Sequence, residues 1–264
     1  MPRVQAGQIE LNYREAGTGS EPLVLIHGFQ SSLRVWGDVI DHLPLDALHV
    51  FAFDLRGAGK SDAPPAGYSP AQYADDVAAA MTALGVATFH YAGTSMGAVT
   101  GMQMGLRHGD RLRSLTLIAP APSDGWMGEP WAAEFLAALR SAREDPSRYP
   151  EVSRGMWTRA PRPELFEIYV EDALACSDGH FDESWEEMGR LHIGDQLATI
   201  QAPTLVVAGD RDFLRDSNLA DHARIPNAAL HVFYRVGHFI PWEVPRELAA
   251  LLTDFIANGT ALQE

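Results

Sequence analysis

Five residues constrain this chain more than any others: Gly93-Thr94-Ser95-Met96-Gly97, set between an apolar run at 89–92 and a stretch of small residues at 98–107. A strand that turns at once into a helix has room for a serine at the corner only if glycines flank it, because neighbouring backbone passes too close for a Cβ atom. The corner residue is then held in a strained conformation with its hydroxyl in the open. Ser95 is the candidate nucleophile on this reading. A serine hydroxyl is weakly nucleophilic near neutrality, so it requires a base, and the base requires a carboxylate to orient it.

The segments around this corner repeat its strand-then-helix order. Short apolar runs at 23–26, 49–53, 89–93 and 115–118 read as buried strands. Between two of them Tyr73, Val77, Ala80, Met81 and Leu84 recur at helical spacing. Alternating strands and helices imply a parallel sheet. Ahead of it, Val4-Gln5 and residues 9–13 alternate in steps of two around Ala6-Gly7, which predicts an antiparallel hairpin on the sheet edge and a mixed sheet overall. The pattern stops at Pro120 and Pro122 and resumes after Pro203 with strands at 205–208 and 230–234 and a closing helix at 246–256.

The interval 121–200 predicts helices only. It carries four of the six tryptophans, Trp126, Trp131, Trp157 and Trp185, with Phe135, Phe166, Tyr169, Met127, Met156 and Met188. Ligands of open α/β sheets bind beyond the carboxyl ends of the strands, where such an insertion emerges. The expected organisation is thus a core of residues 1–120 and 201–264 with a helical cap at 121–200. Trp126, Met127, Trp131, Trp157 and Trp185 are the candidate substrate wall, the alternative being that they pack only against one another.

For the base, His238 follows the last strand in Val236-Gly237-His238-Phe239 and precedes the closing helix. The acid is sought between Ser95 and His238. Asp212, in Gly209-Asp210-Arg211-Asp212 after the strand at 205–208, is preferred, with Asp210 and Asp124 as alternatives. The Phe29 and Met96 backbone N–H groups are the candidate oxyanion hole. His27, beside Gly28 at a strand end, suits a structural hydrogen-bonding role.

Other chemistries fit poorly. Gly59-Lys60-Ser61 resembles the end of a P-loop, but that motif needs glycine at 54, where the chain has Asp54. The histidines form no HExxH pattern, and the one cysteine, Cys176, excludes disulfides and multi-cysteine clusters, so neither metal nor cofactor is expected. Cys176 reads as a packing residue. With 20 Lys+Arg against 35 Asp+Glu the formal charge is −15, which disfavours nucleic acid and anionic membranes as partners. The N-terminal MPRVQAGQIE lacks the apolar core of a signal peptide, and no apolar stretch approaches the roughly 20 residues of a membrane span, so a cytoplasmic protein acting on a small molecule is expected.

Taken together, these blocks resemble the α/β-hydrolase fold family along nearly the whole chain. Leu23-Val24-Leu25-Ile26-His27-Gly28-Phe29 looks like its oxyanion loop and Asp54-Leu55-Arg56-Gly57-Ala58-Gly59-Lys60-Ser61 like its D-x-R-G-x-G-x-S turn. The elbow at Ser95 and the blocks ending in Asp212 and His238 follow in the family's order. The resemblance implies an eight-stranded, mostly parallel sheet flanked by helices, with a helical cap after the sixth strand. It strengthens Asp212, where the family's G-x-x-D ends, and gives Arg56 and Ser61 structural roles. Thr94 stands where many relatives carry histidine. Serine rather than aspartate at the nucleophile position is similar to the esterase, lactonase and carbon–carbon hydrolase branches. The oxyanion segment departs from the His-Gly-Gly-Pro-Gly of proline iminopeptidases, which points away from peptides. The implied activity is hydrolysis of a small hydrophobic ester or lactone. Alternatives are carbon–carbon cleavage of a β-diketone or meta-cleavage product, perhydrolysis, and a ligand receptor built on the same fold.

Overall fold

The apolar runs fold as strands because both of their faces are covered. The computed structural model describes residues 1–259 and contains β1 (Arg3–Ala6), β2 (Ile9–Ala16), β3 (Glu21–Ile26), β4 (Leu48–Phe53), β5 (Phe89–Thr94), β6 (Leu112–Ile118), β7 (Thr204–Gly209) and β8 (Ala228–Phe233). They form one sheet in the order β1-β2-β4-β3-β5-β6-β7-β8. β1 and β2 pair antiparallel with each other, and β2 with β4; every other pairing is parallel. The expected edge hairpin and mixed sheet are therefore present.

Helices α1 (Gly37–Ile40), α2 (Pro70–Ala83), α3 (Met96–Arg107), α4 (Pro130–Glu144), α5 (Tyr149–Val152), α6 (Pro163–Ala175), α7 (Asp178–Gly189), α8 (Arg215–His222), α9 (Ile240–Glu243) and α10 (Pro245–Asn258) complete the chain. Side chains alternate across a strand. Val24, Ile26, Phe51 and Phe53 accordingly join the core under α2 and α3, while Leu23, Leu25, Val50 and Ala52 join the opposite core under α1 and α10. β8 is the exception: it ends the sheet, and Leu230 and Val232 remain 38% and 41% exposed.

Between β6 and β7 the described residues contain helices and turns but no strand. This insert is tied to the core through polar groups. The Glu183 carboxylate accepts the Gly67 and Tyr68 N–H groups, each at 2.9 Å, and the Ser177 N–H donates to the Gly57 carbonyl at 2.8 Å. From α6, the buried Asp172 accepts the Ser32 hydroxyl at 2.7 Å and the Arg34 Nε–H at 3.0 Å. These ties hold α6 against the loop that follows β3 and α7 against the loop that follows β4.

Candidate active site

At the corner between β5 and α3, Ser95 has φ 55° and ψ −115°, a conformation that L-residues rarely adopt. The flanking glycines are required by contact. A Cβ on Gly93 would lie 2.1 Å from the Gly97 carbonyl oxygen, and one on Gly97 would lie 2.4 Å from that of Ile26. The turn is so tight that it packs on itself and on the end of β3, which brings Gly28 and Phe29 beside Ser95. Among the described residues neither the Phe29 nor the Met96 N–H has a protein acceptor.

His238 sits on the loop after β8, its backbone N–H bonded to the Met156 carbonyl at 2.9 Å. Its Nδ1 lies 3.0 Å from Asp212 Oδ2, and the other Asp212 oxygen accepts the Leu214 N–H at 3.0 Å. One carboxylate oxygen thus fixes the aspartate and the other fixes the imidazole. Both residues are buried. Ser95 and His238 line one cavity without a hydrogen bond between them.

The two alternative acids lie elsewhere. Asp210 accepts the Val236 N–H at 3.2 Å and braces the loop below His238, and Asp124 ties the insert by accepting from the Gly194 N–H at 3.2 Å and from Arg224 at 2.6 Å. His27 has both ring nitrogens committed: Nδ1 is 2.7 Å from the Gly28 carbonyl and Nε2 accepts the Leu55 N–H at 3.0 Å. Its burial lowers its pKa. Asp54 accepts the Leu33 and Lys60 N–H groups at 2.7 and 2.9 Å, Ser61 donates to the Asp54 carbonyl at 2.6 Å, and Arg56 pairs with buried Asp76. Cys176 is buried in the insert, which pushes its thiol up to about 11.

The cavity wall corrects part of the sequence reading. Trp126, Trp131 and Trp185 line the cavity; Met127 and Trp157 do not. The chain turns at Gly125 and Gly128, both with positive φ, so Trp126 points inward while its neighbour Met127 is 58% exposed. Trp157 stacks on Phe239 at 4.3 Å and Trp242 at 5.7 Å, outside the cavity, and Met156 takes the wall position. Phe135, Leu139, Met188, Phe213 and Gln30 also line it, none of them expected at the site. The first three belong to helices whose apolar faces are visible in the sequence. Gln30 gives no such signal.

Among the described residues the cavity wall contains no lysine or arginine. Nor is any helix among them long and apolar enough to cross a membrane. Known proteins resemble the chain over most of its length. It is 28% identical to a 2-hydroxy-6-oxononadienedioate/2-hydroxy-6-oxononatrienedioate hydrolase of Pseudomonas putida, over 97% of this chain and 95% of that one. Among solved structures it is similar to Est816, described as an N-acyl homoserine lactone degrading enzyme, with 29% identity, a TM-score of 0.82 and coverage of 96% and 100% of the two chains. The esterase EaEST from Exiguobacterium antarcticum has the same fold, with a TM-score of 0.88 at 21% identity over 97% of this chain and 99% of that one. Residues 21–245 match the profile of the alpha/beta hydrolase fold. That match spans the strand ends carrying Ser95, Asp212 and His238 as well as the insert between them, and the chain belongs to the alpha/beta hydrolase family.

Proposed function

We propose that this hydrolase cleaves a small, uncharged, largely apolar ester or lactone by acyl transfer to water, using Ser95, His238 and Asp212 beneath a cap formed by residues 121–200. Ser95 Oγ attacks the carbonyl carbon while its proton passes to His238 Nε2. The carbonyl electron pair moves onto oxygen, which the Phe29 and Met96 N–H groups receive. Collapse of this intermediate breaks the C–O bond, and the leaving alkoxide takes the proton from His238. Water then adds to the acyl-enzyme, again giving its proton to His238, and Ser95 departs with that proton. Asp212 holds the imidazole in the required tautomer and offsets its charge.

The observation that carries the substrate class is the wall itself, apolar and without a lysine or arginine among the described residues. Burying a carboxylate without a partner costs several kcal/mol. The Pseudomonas putida relative is named for a dienedioate and a trienedioate, which bear two carboxylates. Such a dianion finds no counter-charge here and enters against a net charge of −15. Similarity to that enzyme favours a second reading, carbon–carbon hydrolysis, which on this wall requires a neutral diketone. The lactone-degrading neighbour supports the first.

A panel of p-nitrophenyl butyrate, a γ-lactone, benzoylacetone and a 2-hydroxy-6-oxo-dienedioate separates these readings. Ester and lactone should exceed the other two by at least about 100-fold in kcat/KM, the scale of two lost or unpaired contacts. Faster cleavage of the diketone or dienedioate would replace the ester reading with carbon–carbon hydrolysis. A folded protein whose Ser95 resists a fluorophosphonate probe would instead favour a ligand receptor.

A further inference from the structure

One polar side chain in the cavity wall has no role in the chemistry above. Gln30 is only 2% exposed, lines the cavity and has its backbone in the left-handed region at φ 52°. Nε2 is fully enclosed and has no partner within hydrogen-bonding geometry among the described residues. A buried amide left unpaired forfeits the hydrogen bonds it had in water and is destabilising. The left-handed backbone adds a steric cost for a residue other than glycine. A wall of leucine or methionine avoids the first cost, so a purely apolar acyl group gives no reason for glutamine here.

Its neighbour has the complementary defect. The Tyr149 hydroxyl is also enclosed without a partner. Burial pushes this phenol up to about 12, and the Gln30 NH2 facing its oxygen pulls the other way, so the two side chains adjoin as donor against donor until the amide turns over. A glutamine amide presents an acceptor on one side and two donors on the other, and its last torsion is broadly two-fold. With Oε1 turned to the Tyr149 hydroxyl, the tyrosine gains an acceptor and the NH2 group is left for the cavity. What remains missing is an oxygen acceptor on the ligand.

The position of Gln30 says which part of the ligand supplies that oxygen. Trp131 and Phe213, 37% and 51% exposed, meet at the cavity mouth with ring centroids 6.3 Å apart. Gln30, Val35, Leu139 and Tyr169 are all buried and belong to the enclosed part of the wall, the last three in the same core cluster as Tyr149. In a two-step acyl transfer the alcohol departs first while the acyl group stays on serine. The mouth therefore suits the leaving group and the enclosed end the acyl chain. Gln30 also directly follows Phe29, so its Cα is about 3.8 Å from that of the oxyanion residue.

Resting on the acyl-transfer reading, we propose that Gln30 is a specificity-determining residue whose side-chain NH2 donates to a second oxygen on the acyl group, so that the enzyme selects uncharged oxo-acyl substrates over plain aliphatic ones. Tyr149 is a positioning residue that fixes the amide.

The test compares p-nitrophenyl 4-oxopentanoate with p-nitrophenyl pentanoate, each rate divided by that of alkaline hydrolysis to remove intrinsic reactivity. The wild-type protein should prefer the oxo ester by about tenfold in kcat/KM, the worth of one hydrogen bond to a buried donor. Gln30→Met keeps the length of the side chain without the amide, and its preference should fall to about one. Tyr149→Phe should give an intermediate ratio. A wild-type ratio near one, or an unchanged ratio in Gln30→Met, overturns the proposal, and the wild-type measurement decides even if a variant fails to fold. If Ser95 reacts with a fluorophosphonate probe but neither ester turns over, the two esters are compared as competitors of that labelling under the same criterion. If Ser95 does not react at all, the acyl-transfer reading fails and takes the assignment of Gln30 with it.

Discussion

Acid should destabilise this protein through His180, and the size of the effect follows from its surroundings. The imidazole lies wholly inside the contact between α7 and the core, with Nδ1 3.1 Å from the Tyr73 hydroxyl and 3.2 Å from the Arg56 carbonyl. Nε2 is enclosed without a partner, so protonation would bury both a charge and an N–H with no acceptor. Burial, reinforced by nearby His27, lowers the pKa from 6.5 to about 3. The folded state therefore binds fewer protons than the unfolded state between these values, and stability rises with pH there by about 1.4 kcal/mol per unit. The contribution is complete above pH 6.5 and is lost as the pH falls towards 3. At pH 5 the loss is about 2 kcal/mol, a large share of a typical net stability of about 5–15 kcal/mol. Urea unfolding of the wild-type and His180→Gln proteins at pH 7.5 and 5 isolates this group, since other titrations are common to both. The wild type should lose about 2 kcal/mol more than the variant over that interval. Equal losses would mean that His180 is not held neutral, and the argument from its burial would fail. His180 also stacks on Phe29 at 6.0 Å, so the same protonation should reduce turnover before global unfolding.

Four further outcomes probe the site and its frame. Asp212→Asn should lower kcat by about 10⁴-fold with the fold retained, whereas Asp210→Asn should cost less than about tenfold; reversed effects in ester kinetics would reassign the acid. Gly93→Ala places a Cβ 2.1 Å from the Gly97 carbonyl oxygen and should cost at least about 3 kcal/mol in urea unfolding, unless the elbow is looser than its contacts imply. Trp126→Ala should shift the preference among acetate to decanoate esters towards longer chains. Trp157→Ala should instead lower the unfolding free energy by about 3 kcal/mol and leave that preference in place, because its ring packs on Phe239 and Trp242 rather than the cavity.

What could be read from the sequence was what the backbone dictates. Gly93 and Gly97 are legible because no other residue fits their contacts, and the buried strands because both faces demand apolar side chains. Asp212 and His238 follow from standing at strand ends in the required order. Helix α8, RDSNLADH, was not legible because it has too few apolar residues to display a period, and α1 is too short to display one. Wall positions failed for another reason. Trp126 and Met127 are adjacent, chemically alike as pocket residues and opposite in direction, and only the turn between two positive-φ glycines decides which one faces inward.

The same distinction separates the reaction from its substrate. Ser95, Asp212 and His238 each sit just beyond a strand of one sheet, so their relative positions follow from strand pairing. Gln30, Trp126, Phe135, Met156 and Phe213 come from five different segments, and each reaches the cavity through its own local turn or helix face. Shape and polarity there arise from packing among segments distant in sequence, which a linear pattern does not encode. A buried amide without a partner is visible only once that packing is known, because its signal is a missing contact rather than a residue type. Family membership consequently argues for the hydrolytic machinery, while the choice among an apolar ester, an oxo-acyl ester and a dienedioate turns on the charge and pairing of the wall.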